Sequence, residues 1–244
     1  MEKPHRRKQQ LPMFFDVVDN PDIHNFPQGI EVDITPPPPD LSPFDRGILQ
    51  VCGNLGCRAV AEDFQALLAA YPEVFDRIKI AVGGEIFHGR TTDSEFLADL
   101  IEIWFKRHGF EHIFCGNIHN GQLKGMHYVG RYFQLQEQGL AGKLPDNQHQ
   151  EETIVGAVYT IGVVLKYDNR LIIDRRNGYA LVTDAAELLI AATLAFKAKS
   201  RPRTTCNFSV FDVDSGHTYT AVIVKEDNAI VTFYPDANPT DSRC

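Results

Sequence analysis

The sequence predicts an α+β fold with largely antiparallel sheets, on three observations. Apolar residues at helical spacing crowd the stretch between Cys57 and Gly109. The C-terminal half is dominated by β-rich runs joined by short polar turns, Asp168-Asn169, Asp214-Ser-Gly and Glu226-Asp-Asn. Those runs follow one another directly instead of alternating with helices, which is the pattern of hairpins and not of crossover units.

Residues 1–46 read as a proline-rich leader, because Pro36-Pro37-Pro38-Pro39 favours an extended polyproline conformation and prolines at 21, 27 and 43 punctuate the rest. A helical N-terminal subdomain is expected over 47–108. Its first helix is marked by Val60, Phe64, Leu67 and Leu68 before Pro72 interrupts the pattern. Its second begins at the capping pair Thr92-Asp93, buries Phe96, Leu97, Leu100, Ile101, Trp104 and Phe105, and stops at Gly109.

A third domain is expected over 109–244. Tyr128 to Gln138 reads as a helix ended by Gly139, 143–150 as a polar loop, and Thr153 to Tyr167 as a β-rich run turning into Arg170-Leu-Ile-Ile. Ala185 to Lys199 is strongly helical, and three strands follow at Asn207–Val213, Thr218–Lys225 and Ala229–Tyr234. No repeat of solenoid length is visible.

Composition bounds the function. At 244 residues, 43% apolar and 23% charged, the chain supports a sizeable core and is not globally disordered. A formal charge of −8 argues against a generic nucleic-acid coat, so any nucleic-acid chemistry must rest on local cations. Two basic clusters, Lys3/Arg6/Arg7/Lys8 and Lys197/Lys199/Arg201/Arg203, read most simply as solvated surface. Five cysteines, odd in number and without a C-x-x-C motif, argue against a disulfide framework and make a reducing compartment the simpler expectation. No window approaches a membrane span, and the basic N-terminus lacks an apolar signal core.

The chemistry concentrates between 111 and 127. His112 and His127 stand at the two ends of what reads as one β-hairpin, with Ile113 and Phe114 on one arm, His119-Asn120-Gly121 as the turn and Gly125 before the second histidine. Histidine titrates near neutrality, so two imidazoles held by one local element suit paired acid/base work. Zinc is a weak reading of the same residues: His108 and His119 could join the pair, but Gly109 intervenes and no thiolate or carboxylate sits at ligand spacing.

The string from His112 through Glu137, His-Ile-Phe-Cys-Gly to Arg131-Tyr-Phe-Gln-Leu-Gln-Glu, together with Ile230-Val-Thr-Phe-Tyr-Pro, resembles the EndoU-type endoribonucleases over the second half of the chain. The resemblance implies a catalytic domain of two antiparallel sheets flanked by helices. It also implies a uridine-preferring endoribonuclease that needs no cofactor, with Mn²⁺ stimulation compatible. One imidazole takes the ribose 2′-hydroxyl proton, the oxygen attacks the adjacent phosphorus, and the other imidazole protonates the departing 5′-oxygen. The product is a 2′,3′-cyclic phosphate, and DNA binds without being cut.

By the same resemblance His127 is the base and His112 the acid, with the Gly125 N–H near the phosphate oxygens. The third member, a lysine in relatives, falls on Asp174 or Tyr179 here, and neither is basic. Lys166 is assigned by residue type, with Arg175 the next choice. Thr183 matches a hydroxyl residue before the following helix and Tyr234 an aromatic against the base, giving Gly125, Thr183 and Tyr234 as substrate contacts. Asn117 stands where many relatives carry an acid, which weakens a manganese site. Cys115 reads as packing and Glu111 as orienting a neighbour.

The expected partner is single-stranded or loop RNA, with tRNA a candidate, and an immunity or regulatory protein is a second. No membrane partner is expected. Location divides between the cytoplasm and export as a toxin. The alternative from another class is a catalytically silent RNA-binding or toxin-related module, supported by the departure at the lysine position.

Overall fold

The computed structural model describes residues 11–19, 33–145, 154, 156–198 and 201–244. The basic residues Lys3, Arg6, Arg7, Lys8 and Lys199 lie outside them. Helices and antiparallel sheets share the chain, as the sequence predicts.

Helix α1 (Pro43–Cys52) starts at Ser42, which forms a reciprocal capping box with Asp45, and Pro43 takes the first helical position. The expected leader boundary at residue 46 therefore falls inside a helix. Helices α2 (Ala61–Ala70) and α3 (Pro72–Ala81) flank Tyr71, so Pro72 ends one helix and opens the next. Helix α4 (Asp93–Phe105) carries the expected Thr92 cap, boxed with Glu95.

Strands β1 (Asn117–His119) and β2 (Gln122–Lys124) form a two-stranded ribbon, followed by α5 (Val129–Glu137). Strands β3 (Ala141–Lys143), β4 (Val158–Tyr167) and β5 (Arg170–Ala180) make one antiparallel sheet. After α6 (Ala185–Ala198), strands β6 (Thr204–Phe211), β7 (Thr218–Glu226) and β8 (Ala229–Pro235) make the other.

One apolar core runs through all of these, from Phe14 and Phe15 to Phe233. The described leader residues are docked: Phe14 and Phe15 are fully buried, and both their N–H groups donate to Gln136 Oε1 at 2.6 and 3.0 Å. Trp104 on α4 is buried and donates from Nε1 to Thr193 Oγ1 on α6 at 3.2 Å. Asp45, also buried, accepts from Tyr128 Oη at 2.7 Å and from the Ala185 N–H at 2.9 Å, joining α1 to the segment after His127 and to the start of α6. A carboxylate satisfied from three sides in this way tolerates its burial.

The cysteine expectation is corrected. Cys52 is bonded to Cys115 and Cys206 to Cys244, leaving Cys57 exposed as a thiol. Pairing was not legible in spacing because each partner is brought close only by the tertiary fold, across 63 and 38 residues. Cys115 is thus a cross-link and not packing alone. Two members of the second basic cluster are engaged: Lys197 Nζ donates to the carbonyls of Val82 and Glu85, and Arg203 lies 3.7 Å from Glu226. Among the described residues no helix is long and apolar enough to cross a membrane.

Candidate active site

His112 does not lie on a strand. It sits in a π-helical turn, Glu111–Cys115, and the hairpin proper is confined to β1 and β2 beyond it. The two histidine segments still pair, because the Met126 N–H donates to the His112 carbonyl and the His127 N–H to the Ile113 carbonyl, both at 2.7 Å. Single π turns recur at functional sites because the wide turn re-aims one side chain. The imidazoles consequently converge, with ring centroids 5.6 Å apart.

Gly125 makes that approach possible. Its φ is +73°, and a Cβ there would come within 1.9 Å of the His112 carbonyl oxygen, so no other residue fits.

Both rings line an open cleft of about 520 Å³ set where β5 of one sheet approaches β8 of the other. Thr160 contributes from β4, Asp174, Arg176, Asn177 and Gly178 from β5, and Thr232, Tyr234 and Pro235 from β8. A bulge makes the β5 contribution unusual. Ile161 pairs with Asn177 but Val163 pairs with Asp174, so Gly162 faces two residues and the strand turns more side chains than alternation allows into the cleft.

Burial lowers the His112 pKa to about 4, assisted by the Lys124 charge. Burial lowers His127 to about 3, assisted by His112 and opposed by the Gly178 carbonyl. That carbonyl lies 3.3 Å from His127 Nδ1. A carbonyl only accepts, so the ring proton belongs on Nδ1 and Nε2 keeps its lone pair. Burial raises the Asp174 carboxyl, against hydrogen bonds from the Arg176 N–H and the Asn177 amide.

The remaining sequence candidates divide. Gly125 and Tyr234 line the cleft, and the Tyr234 ring lies 5.4 Å from that of His127. Lys166 does not line it. It sits six residues along β4 from Thr160, about 20 Å at the usual strand rise, and its Nζ donates to the Gly139 carbonyl at 3.2 Å. Arg175 is exposed and also outside the lining, whereas its neighbour Arg176 belongs to it.

Thr183 is likewise displaced. It is buried, with Oγ1 2.7 Å from Tyr219 Oη, beside the start of α6 where Asp45 takes the Ala185 N–H, Asp184 the Glu187 N–H and Glu187 the Asp184 N–H. Among the threonines that do line the cleft is Thr232, its hydroxyl buried and without a protein partner, in the same Thr-Phe-Tyr string that supplied Tyr234. That string was the available signal for Thr232. Asp174, at the position of the relatives' lysine, and Arg176, beside Arg175 in the same basic stretch, were within reach of the sequence, but Asn177 had no signal, since the bulge sets its place.

Among the described residues no group of three or more His, Cys, Asp or Glu is arranged to hold a metal ion. His108 lines a separate hollow with Glu111, and His119 is exposed on the ribbon tip.

No curated protein sequence matches the chain. Among solved structures, the chain is similar to XendoU, described as a splicing-independent snoRNA-processing endoribonuclease, with a TM-score of 0.53 and 14% identity over 79% of this chain and 76% of that one. This likeness shows a shared fold. Nsp15, an endoribonuclease encoded by Middle East Respiratory Syndrome Coronavirus, aligns over 57% of this chain and 37% of its own, with a TM-score of 0.37 and 15% identity. Residues 106–237, more than half the chain, match the family model for bacterial EndoU nucleases, and the protein belongs to that family.

Proposed function

We propose that this protein is an endoribonuclease that cleaves single-stranded or loop RNA, with uridine preference, by internal transfer to a 2′,3′-cyclic phosphate. The observation that carries the reading is the convergence of two half-buried imidazoles in one open cleft that Arg176 also lines. His127 Nε2, left with its lone pair by the Gly178 contact, takes the 2′-hydroxyl proton. The ribose oxygen bonds to phosphorus as the bond to the 5′-oxygen breaks, and His112, carrying a proton, delivers it to that oxygen.

The incoming phosphodiester favours the protonated His112, because a negative charge nearby offsets the desolvation that holds its pKa down. Arg176 faces the developing phosphorane, a role sequence reasoning gave to Lys166 or Arg175. Tyr234 stacks the base and the Thr232 hydroxyl meets its edge. The nucleophile is part of the substrate, so the residues described account for the reaction without a bound metal.

The test is cleavage of a uridine-containing single strand in EDTA, with the product end identified chemically. A cyclic phosphate, lost by about 10² or more in both His112→Ala and His127→Ala, is expected. Binding without cleavage sinks the nuclease reading in favour of a silent module. Activity abolished by EDTA and restored by Mn²⁺ points instead to metal-dependent chemistry.

A further inference from the structure

Beyond β8 the chain forms one wall of the cleft, contributed by Asp236, Asn238, Thr240 and Asp241. This strap is fastened at both ends. The Asp236 N–H donates to the Thr220 carbonyl at 2.8 Å, and the Asn238 N–H to Asp236 Oδ1 at 2.9 Å. Asn207 on β6 donates its N–H to the Ser242 carbonyl and accepts from the Cys244 N–H, both at 2.8 Å, and its side chain donates to the Asp241 carbonyl. The Cys206–Cys244 bond closes the strap onto β6. Residues 238–244 lie past the part of the chain that matches the family.

The charge on this wall is the reverse of what an RNA cleft ordinarily shows. Asp174, Asp236 and Asp241 line the cleft against Arg176. Burial raises the Tyr234 hydroxyl, Asp236 and Asp241 raise it further, and Arg176 opposes them, so the field of both strap carboxylates reaches the ring beside His127. Independently, Thr232 lines the same cleft, and its buried hydroxyl has no protein partner. A single phosphodiester can sit at Arg176 and the histidines. The further phosphates of a long strand meet like charge, an effect reaching about 8–10 Å at moderate salt.

We propose that the tethered strap, residues 236–244, is a specificity wall whose Asp236 and Asp241 disfavour phosphates flanking the scissile linkage, biasing the cleft toward short or terminal RNA over the interior of a long strand. The proposal rests on the reading of this cleft as an RNA site. It concerns substrate choice and leaves the chemical roles of the histidines unchanged.

The experiment compares a uridine dinucleotide, with one phosphodiester, and a single-stranded oligomer of about twelve residues. Affinities are measured in a His127→Ala background, where no turnover is needed, and kcat/KM in its absence. The variants are Asp236→Asn/Asp241→Asn and, to release the strap without changing its charge, Cys206→Ser/Cys244→Ser. Each pair is expected to raise the oligomer-to-dinucleotide ratio about fivefold at low salt, with the gain vanishing near about 0.5 M.

An unchanged ratio in the charge variant, or a fall showing that the strap cradles RNA, overturns the proposal. If the wild-type protein cuts neither substrate but the affinity ratio shifts, the wall stands and the nuclease reading falls. If it cuts both and the ratio stays fixed, only the wall falls. No binding of either RNA overturns both.

Discussion

Asn177 Nδ2 donates to the Gly125 carbonyl at 2.7 Å, which ties strand β5 to the turn leading into His127. The same side chain accepts from the Gly178 N–H at 2.8 Å, and it is the Gly178 carbonyl that holds His127 Nδ1. One amide therefore sets both the backbone before the proposed base and the group that fixes its tautomer. Asn177→Ala is expected to lower turnover about tenfold with KM little changed, and to reduce stability by about 1–3 kcal/mol. Asn177→Asp keeps the shape and loses the donor. Turnover at the wild-type level in that variant, measured well below its unfolding temperature, would remove the tie from the mechanism.

The proposed cation is decided by two substitutions. Arg176→Ala is expected to lower kcat by about 10² with RNA affinity changed only a fewfold, the signature of charge stabilised in the transition state. Lys166→Ala is expected to stay within about twofold, since its ammonium rests on the Gly139 carbonyl away from the cleft. Single-turnover rates on one uridine substrate separate the two, and the opposite ranking returns the role to Lys166.

The lowered histidines give the pH dependence a definite sign. In the free enzyme His112 loses its proton above about pH 4 and His127 is already neutral there. Since kcat/KM reports the free enzyme, it should fall steadily as pH rises from about 5 to 8. A bound phosphodiester raises His112, so kcat should hold to higher pH than kcat/KM. Removing the Lys124 charge by Lys124→Ala takes away a cation that disfavours the imidazolium, and the falling limb should move upward. Superimposable kcat and kcat/KM profiles would falsify this account.

Cys115 ends the π turn that carries His112, and its bond to Cys52 fastens that turn to the last residue of α1. Non-reducing mass analysis should find the chain four hydrogens lighter than its fully reduced form, with Cys57 alone open to alkylation. Cys52→Ser/Cys115→Ser is expected to cost about 2–4 kcal/mol of stability and to lower kcat more than it raises KM. Alkylation of all five cysteines in the native, unreduced protein would remove both cross-links from the account.

Local periodicity and turn chemistry made much of the fold legible. Thr92-Asp93 announced α4, Gly139 ended α5, and Asp168-Asn169 turned β4 into β5, each a signal contained within a few residues. The two helices that went unread, α1 and α3, both open with proline, which serves as a breaker inside a helix and as a good first residue at its start. The histidine pair was visible because sequence-adjacent segments hold it. Asn177 was not, and the order of preference among Lys166, Arg175 and Arg176 could not be read, since a register slip in β5 lies between Asp174 and Asn177. That Thr183 lies apart from the cleft was not legible, because a hydroxyl before a helix looks the same whether that N-terminus meets ligand or, as here, Asp45.

The buried carboxylate of Asp45 sets a limit on how small a working fragment can be. A piece cut to the family-matched span, residues 106–237, would leave Tyr128 and the first turn of α6 without their shared acceptor and would strand Cys115 and Cys206 as unpaired thiols. The amino-terminal helices thus complete the packing and cross-links of the half that bears the histidines, and dissection of the chain has to begin upstream of Ser42.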